Sequence, residues 1–119
     1  MEELKLFDAE YKFMNIMWDL EPINSTELTK ACAKGLGWKK STTYTMIRKL
    51  SERGIIQNRD ATVTALVKRE QVQKYQSEAL VEKAFDGSLP AFLAAFLKGK
   101  KLSVQEAERI RKMIEEAAE

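Results

Sequence analysis

Short hydroxyls and cations crowd together between residues 39 and 59 of this 119-residue chain. Lys39 and Lys40 come first, followed by Ser41, Thr42, Thr43, Tyr44 and Thr45. Arg48 and Lys49 follow one turn later, and Arg59 stands further on. Ser and Thr hydroxyls bond phosphate oxygens or base edges, and a Thr methyl can touch a thymine methyl. Lys and Arg neutralise phosphate charge. The spacing suits a polyanion laid along one helix. Each residue also has a plainer reading: Ser41 as a helix cap, Tyr44 as partial core, Arg48 and Lys49 as a solvated face.

Regional charge sharpens this. The formal net charge is +2, but residues 39–74 hold nine Lys/Arg against three Asp/Glu, while residues 1–38 hold four against seven and residues 75–119 hold seven against eight. A basic block between acidic or near-neutral flanks is the footprint of a phosphate-facing surface. It is also compatible with a solvated face that binds nothing.

Other chemistries lack their residues. There is no histidine, so Ser-His and Cys-His nucleophile pairs and His-bound zinc are excluded. No Gly-rich phosphate loop or paired metal-ligand spacing occurs. No enzyme activity, cofactor or metal is expected. Cys32 is the single cysteine, on an apolar stripe with Leu28 and Leu36. A buried structural thiol is the simpler reading, and a redox switch the alternative. No apolar run is long enough to span a membrane, and the acidic, mixed start is unlike a secretory signal, so a cytoplasmic location is expected.

The elements that must position these residues follow from caps and periodicity. Asp8 reads as the N-cap of a first helix through Leu20, with Phe13, Met17 and Leu20 at helical spacing and Met14 and Trp18 broadening the apolar stripe. Glu21-Pro22 ends it. Asn24, with Glu27 three residues later, opens a second helix carrying Leu28, Ala31, Cys32 and Leu36, which Gly35 and Gly37 punctuate. Ser41 reads as the cap of a third helix through Arg53, with Met46, Ile47 and Leu50 inward and Gly54 as its stop. Ile55-Ile56 begins a strand, Arg59, Asp60 and Ala61 form a polar tip, and Thr62 to Val67 returns as the second strand. Three short helices and a hairpin are the element order of a winged helix.

From residue 68 the pattern is helical again, to about Asp86-Gly87. Ser88 and Ser103 cap two further helices, the first apolar nearly all round. The division expected is a winged helix-turn-helix domain over residues 1–70 and a helical segment over 71–119. That segment is too small to form a core alone. It must fold back on the first domain or pair with another chain, and a second copy is the preferred partner because symmetric dimers are the commonest soluble assembly. Tyr75, Leu89, Phe92, Leu93, Phe96, Leu97, Ile110, Met113 and Ile114 are its candidate interface residues.

With these residues in view, the sequence resembles the penicillinase-repressor (BlaI/MecI/CopY-type) family of bacterial transcription regulators. The likeness is carried by Ala9-Glu10 with Met14 to Trp18, by Trp38 with Thr42 to Leu50, and by Arg53 to Ile56. Phe85-Asp86-Gly87, Leu102-Ser103, Glu106 and Ile110-Arg111 continue it. The resemblance implies a homodimer on a palindromic double-stranded DNA operator, with Thr42, Tyr44 and their neighbours in the major groove. It implies dimerisation through residues 75–119, and an upstream sensor or protease as a further partner. Antibiotic-responsive members are cleaved at an Asn-Phe bond where this chain has Ala95-Phe96. Copper-responsive members carry a cysteine cluster near the C-terminus that is absent here. Thr64 stands where an aromatic wing residue is usual. Apart from the resemblance, a winged-helix module that contacts protein rather than DNA is the alternative.

Overall fold

The computed structural model describes residues 4–119, so the first three residues of the acidic start lie outside it. The chain forms two compact units, one running to Leu80 and the other from Val81 to Glu119. The first unit extends ten residues past the boundary drawn at residue 70. The cause is visible on the fourth helix: Val72 is fully buried in the first unit's core, and Gln76 hydrogen-bonds the Leu6 carbonyl at 3.0 Å.

The first unit has the order α1 (Asp8–Leu20), β1 (Ile23–Asn24), α2 (Ser25–Leu36), α3 (Lys40–Glu52), β2 (Ile56–Arg59), β3 (Thr62–Ala65) and then α4 (Arg69–Phe85), whose last turns belong to the second unit. The mainly α winged helix read from the caps is present. Helix α1 starts one residue early. Phe7 is its N-cap and Asp8 its first residue, because Glu10 reaches back to accept the Phe7 N–H at 2.9 Å. Asn24 caps α2 as expected, its side chain accepting from the Thr26 N–H at 2.8 Å, while Glu27 turns to Lys30 at 3.2 Å. Gly37, at φ +69°, is the left-handed stop of α2. Gly35 lies inside the helix, where a Cβ would stand 3.3 Å from Ile16 Cδ1; its small size lets α1 come close.

The core joins all these elements. Phe13, Met14 and Met17 of α1, Leu28 and Cys32 of α2, Met46, Ile47 and Leu50 of α3, and Ile55, Ile56 and Val63 of the hairpin are buried together. Trp38 lies flat against Phe13, with ring centroids 6.2 Å apart. Burying each large aliphatic side chain contributes roughly 1.5–3 kcal/mol.

The wing is a three-stranded antiparallel sheet in the order β1-β3-β2. Strand β1 has no counterpart in the sequence reading. Two residues carry no alternation, and Ile23 and Asn24 become a strand only because Val63 and Thr62 lie opposite them. Strand β3 ends at Ala65, short of the expected Val67. The Ala65 N–H turns to Glu21 Oε1 at 2.8 Å, and the Val67 carbonyl accepts from Trp18 Nε1 at 2.9 Å. Side chains from the last turn of α1 and from its C-cap thus take over backbone groups that a longer ladder would have paired.

The second unit contains the end of α4, then α5 (Leu89–Leu97) and α6 (Val104–Ala117). Ser88 and Ser103 cap α5 and α6, accepting from the Ala91 and Glu106 N–H groups at 3.1 and 3.0 Å. Phe85, Phe92 and Phe96 form an aromatic ladder with centroids 5.5 and 5.8 Å apart. No residue of this unit is buried.

At the hairpin tip Asp60 and Ala61 both have positive φ, 52° and 66°. Arg59 and Thr62 pair across them, so the turn is a two-residue one of the kind that favours Asn-Gly. Ala61 carries a Cβ where glycine is preferred. Ala61→Gly is expected to stabilise the first unit by about 1 kcal/mol in urea unfolding, because a left-handed conformation costs an L-residue that order. Equal or lower stability would show the tip to be relaxed with alanine.

Candidate nucleic-acid interface

Helix α3 is divided lengthwise. Thr43, Met46, Ile47 and Leu50 are buried, at the i, i+3, i+4, i+7 spacing of one helix face. That stripe turns Ser41, Thr42, Thr45, Arg48 and Lys49 to the exterior, where all five are exposed. Ser41, Thr42, Thr45 and Lys49, with the edge of Met46, line a shallow depression of about 300 Å³. Arg48 lies beside them with Nη1 4.0 Å from Glu52, too loose and exposed to hold the guanidinium.

Ser41 is not the cap of α3. The helix begins at Lys40 with Lys39 as N-cap, and the Lys39 carbonyl accepts from both the Thr42 and Thr43 N–H groups, at 3.0 and 3.2 Å. No side chain caps this end. The Ser41 hydroxyl is therefore left on the outer face, and Lys39 and Lys40 flank the helix start, both exposed. Open backbone N–H groups and adjacent cations at a helix N-terminus favour an anion.

Tyr44 takes a middle position, half-buried against the core. The hydroxyl of Thr26, and next that of Ser25, hold its phenol below the ordinary tyrosine pKa; slight desolvation works the other way, and Lys40 adds a smaller pull. The Lys40 ammonium lies 6.0 Å from the Tyr44 ring centre. The Tyr44 phenol thus lies near the start of α2. Nothing in the sequence pattern pairs it with Thr26 and Ser25, which lie about twenty residues away in the chain. Arg59, at the end of β2, is exposed, with Nη2 3.5 Å from Gln57 Oε1.

A half-buried ion pair anchors the far end of α3. Arg53, its C-cap, donates from Nη1 to Glu10 Oε1 at 3.0 Å, and from Nη2 to the Lys5 carbonyl. The Glu10 side chain is 6% exposed, and the Arg53 and Phe7 donors satisfy its Oε1 where water is largely excluded.

In the second unit α5 and α6 leave an apolar groove of about 570 Å³ between them. Phe92, Leu93, Phe96, Leu97, Ile110 and Ile114, named as interface candidates from the sequence, line it with Leu102 and Ala107, which were not so named, and with Glu106, Arg111 and Glu115. Leu102 lies in a polar linker and Ala107 is small, so neither stands out by hydropathy. Three other candidates fall elsewhere. Met113 shares a separate depression with Arg109, Lys112 and Glu116, Leu89 is exposed, and Tyr75 lies in the first unit on α4. No helix of the described residues is long and apolar enough to cross a membrane.

Three helices, a second and third of which form a helix-turn-helix, and a hairpin wing define a winged helix-turn-helix protein. The family model for the penicillinase repressor matches residues 6–116, and the chain belongs to that family of transcriptional repressors. It is similar to the penicillinase repressor of Bacillus licheniformis, 24% identical over 116 residues that cover 94% of this chain and 91% of the relative. It is also similar to the methicillin resistance regulatory protein MecI of Staphylococcus aureus, 23% identical over 114 residues covering 92% and 93%.

Cys32 belongs to the packing beneath this face. It is fully buried, and burial pushes its thiol pKa up, with the Thr43 side chain pulling weakly the other way. A raised pKa in the folded state means that the thiol's contribution to stability is complete below the unfolded value near 9.0 and is lost as pH rises through the folded one. Unfolding free energy is therefore expected to decline above about pH 9, and Cys32→Ala to flatten that decline whatever its own cavity cost. An unchanged slope in the variant would place the alkaline sensitivity elsewhere.

Proposed function

We propose that this protein is a transcriptional repressor that binds a pseudo-palindromic operator as a homodimer. The observation that carries this reading is the division of α3. A buried apolar stripe turns a row of short hydroxyls and cations outward, in a chain belonging to a family of repressors. Thr42, Thr45 and Ser41 reach base edges and the nearest phosphates, in the part of the helix that a helix-turn-helix inserts into the major groove. Lys39, Lys40, Arg48 and Lys49 neutralise phosphates along both strands. Tyr44 holds the angle between α2 and α3 and offers its ring edge to the groove. Arg59 meets the backbone or minor groove beside the wing.

Dimerisation is supported by what the second unit lacks. A unit of this size with no buried residue has not removed its apolar surface from water. The apolar groove between α5 and α6 is a surface that a second copy can cover with its own, around a twofold axis. Leu89 and Met113 extend that apolar surface beyond the groove.

Fluorescence-anisotropy titration tests the DNA reading directly. Duplex from upstream of the protein's own gene is expected to bind about a thousandfold more tightly than random duplex at equal salt. Arg48→Ala with Lys49→Ala is expected to lower the slope of log affinity against log salt by about 2, as befits two lost phosphate contacts. A slope unmoved by the double substitution would take these two residues out of the interface.

Sedimentation tests the second half. Ile110→Glu places a carboxylate in the apolar groove and is expected to turn a dimer into a monomer at micromolar concentration. Operator affinity should fall with it, since each half-site is then held singly. A parent chain that already sediments as a monomer would overturn the dimer.

A further inference from the structure

Three backbone groups just ahead of α1 are each held by a side chain from a different helix. Arg53, the C-cap of α3, donates to the Lys5 carbonyl. Gln76 of α4 donates from Nε2 to the Leu6 carbonyl at 3.0 Å. Glu10 of α1 accepts the Phe7 N–H at 2.9 Å on the same oxygen that accepts from Arg53 at 3.0 Å. Between these grips the Leu6 side chain is buried in the core, only 6% exposed.

Helices α3 and α4 do not themselves pack extensively against each other. The start of α4 is held instead against α1: Arg69 pairs with Asp19 at 2.8 Å, bonds the Asn15 carbonyl at 3.2 Å and lies over the Trp18 ring. Gln76 lies two turns further along and grips a different part of the unit. Planar peptides and fixed bond lengths make a three-residue segment nearly inextensible. The Leu6 carbonyl and the Phe7 N–H share one rigid peptide plane, and the buried Leu6 side chain couples the Lys5 carbonyl to its movement.

We propose that residues 5–7 are a strap that transmits displacements of α4 to the C-terminal end of α3, with Gln76 and Arg53 as its positioning residues. Arg53 follows one turn after Lys49, so a shift at the strap alters how the outer face of α3 is presented. Operator binding and the state of α4 are thereby coupled, although neither Gln76 nor the strap touches DNA. This consequence rests on the operator-binding reading above, whereas the strap itself is tested without DNA.

Gln76→Leu removes the donor at nearly constant volume, and Gln76→Lys restores a donor on a longer stem. Amide hydrogen exchange of the full chain is measured for the parent and both variants. Gln76→Leu is expected to speed exchange about fivefold in residues 49–53, with amides of α2 and the wing unchanged and Gln76→Lys recovering most of the protection. Unchanged exchange in residues 49–53 overturns the strap, and so does a uniform rise across the first unit, which marks simple loss of stability. In the same variants, affinity for the upstream duplex is expected to drop about fivefold while random duplex binds as before. Altered exchange with undiminished upstream affinity overturns the positioning role. A parent that fails to distinguish the two duplexes sinks the operator reading, and the exchange result still decides the strap.

Discussion

Everything presented by the first unit depends on the burial of one stripe of α3. Thr43, Met46, Ile47 and Leu50 cannot be removed from water without rotating the helix to a single angle about its axis. That angle determines which of the alternating hydroxyls and cations face outward. Thr43 differs little from Thr42 and Thr45 in chemistry, yet it is fully buried beside the Cys32 thiol while its neighbours are exposed. A quarter-turn error would bury Lys49 and expose Ile47, at a cost of several kcal/mol for the cation alone.

Rotation about the axis is one degree of freedom; the placement of the helix ends is another. The Glu10–Arg53 pair secures the C-terminal end against α1, and Tyr44, packed against the core, seats the first turns. The ion pair differs from the apolar stripe in being directional. A buried carboxylate that lost Arg53 would be left with the Phe7 N–H alone, so geometries that separate the two helices are penalised sharply. The wing is tied down in the same manner, through Glu21 to the Ala65 N–H and through the Ser25 N–H to the Ala61 carbonyl at 2.8 Å.

The second unit follows a different logic. Its helices are well capped and its phenylalanines touch, but it has no interior. The apolar groove between α5 and α6 is a half-built core, and under the dimer proposed above its completion by a second copy would join oligomerisation to folding of this part of the chain.

Local chemistry was legible along the chain. Caps at Asn24, Ser88 and Ser103, the stops at Gly37, Gly54 and Gly87, and the 3.6-residue stripes of α1 to α3 all depend on neighbours within a few positions, and the sequence alone determined them. So did the order of helices and hairpin, and the clustering of hydroxyls and cations on α3. Tertiary structure decided the rest, because the deciding partner lay far away in the chain. Strand β1 exists only opposite Val63 and Thr62. Glu10 displaced Asp8 from its expected cap by reaching back to Phe7 while holding Arg53, 43 residues distant. The first unit gained the start of α4 because Val72 and Gln76 found the core and the Leu6 carbonyl. Which apolar residues of α6 share one groove, and which, like Met113, lie off it, depended on the angle at which α5 meets it, and no periodicity within a single helix encodes that angle.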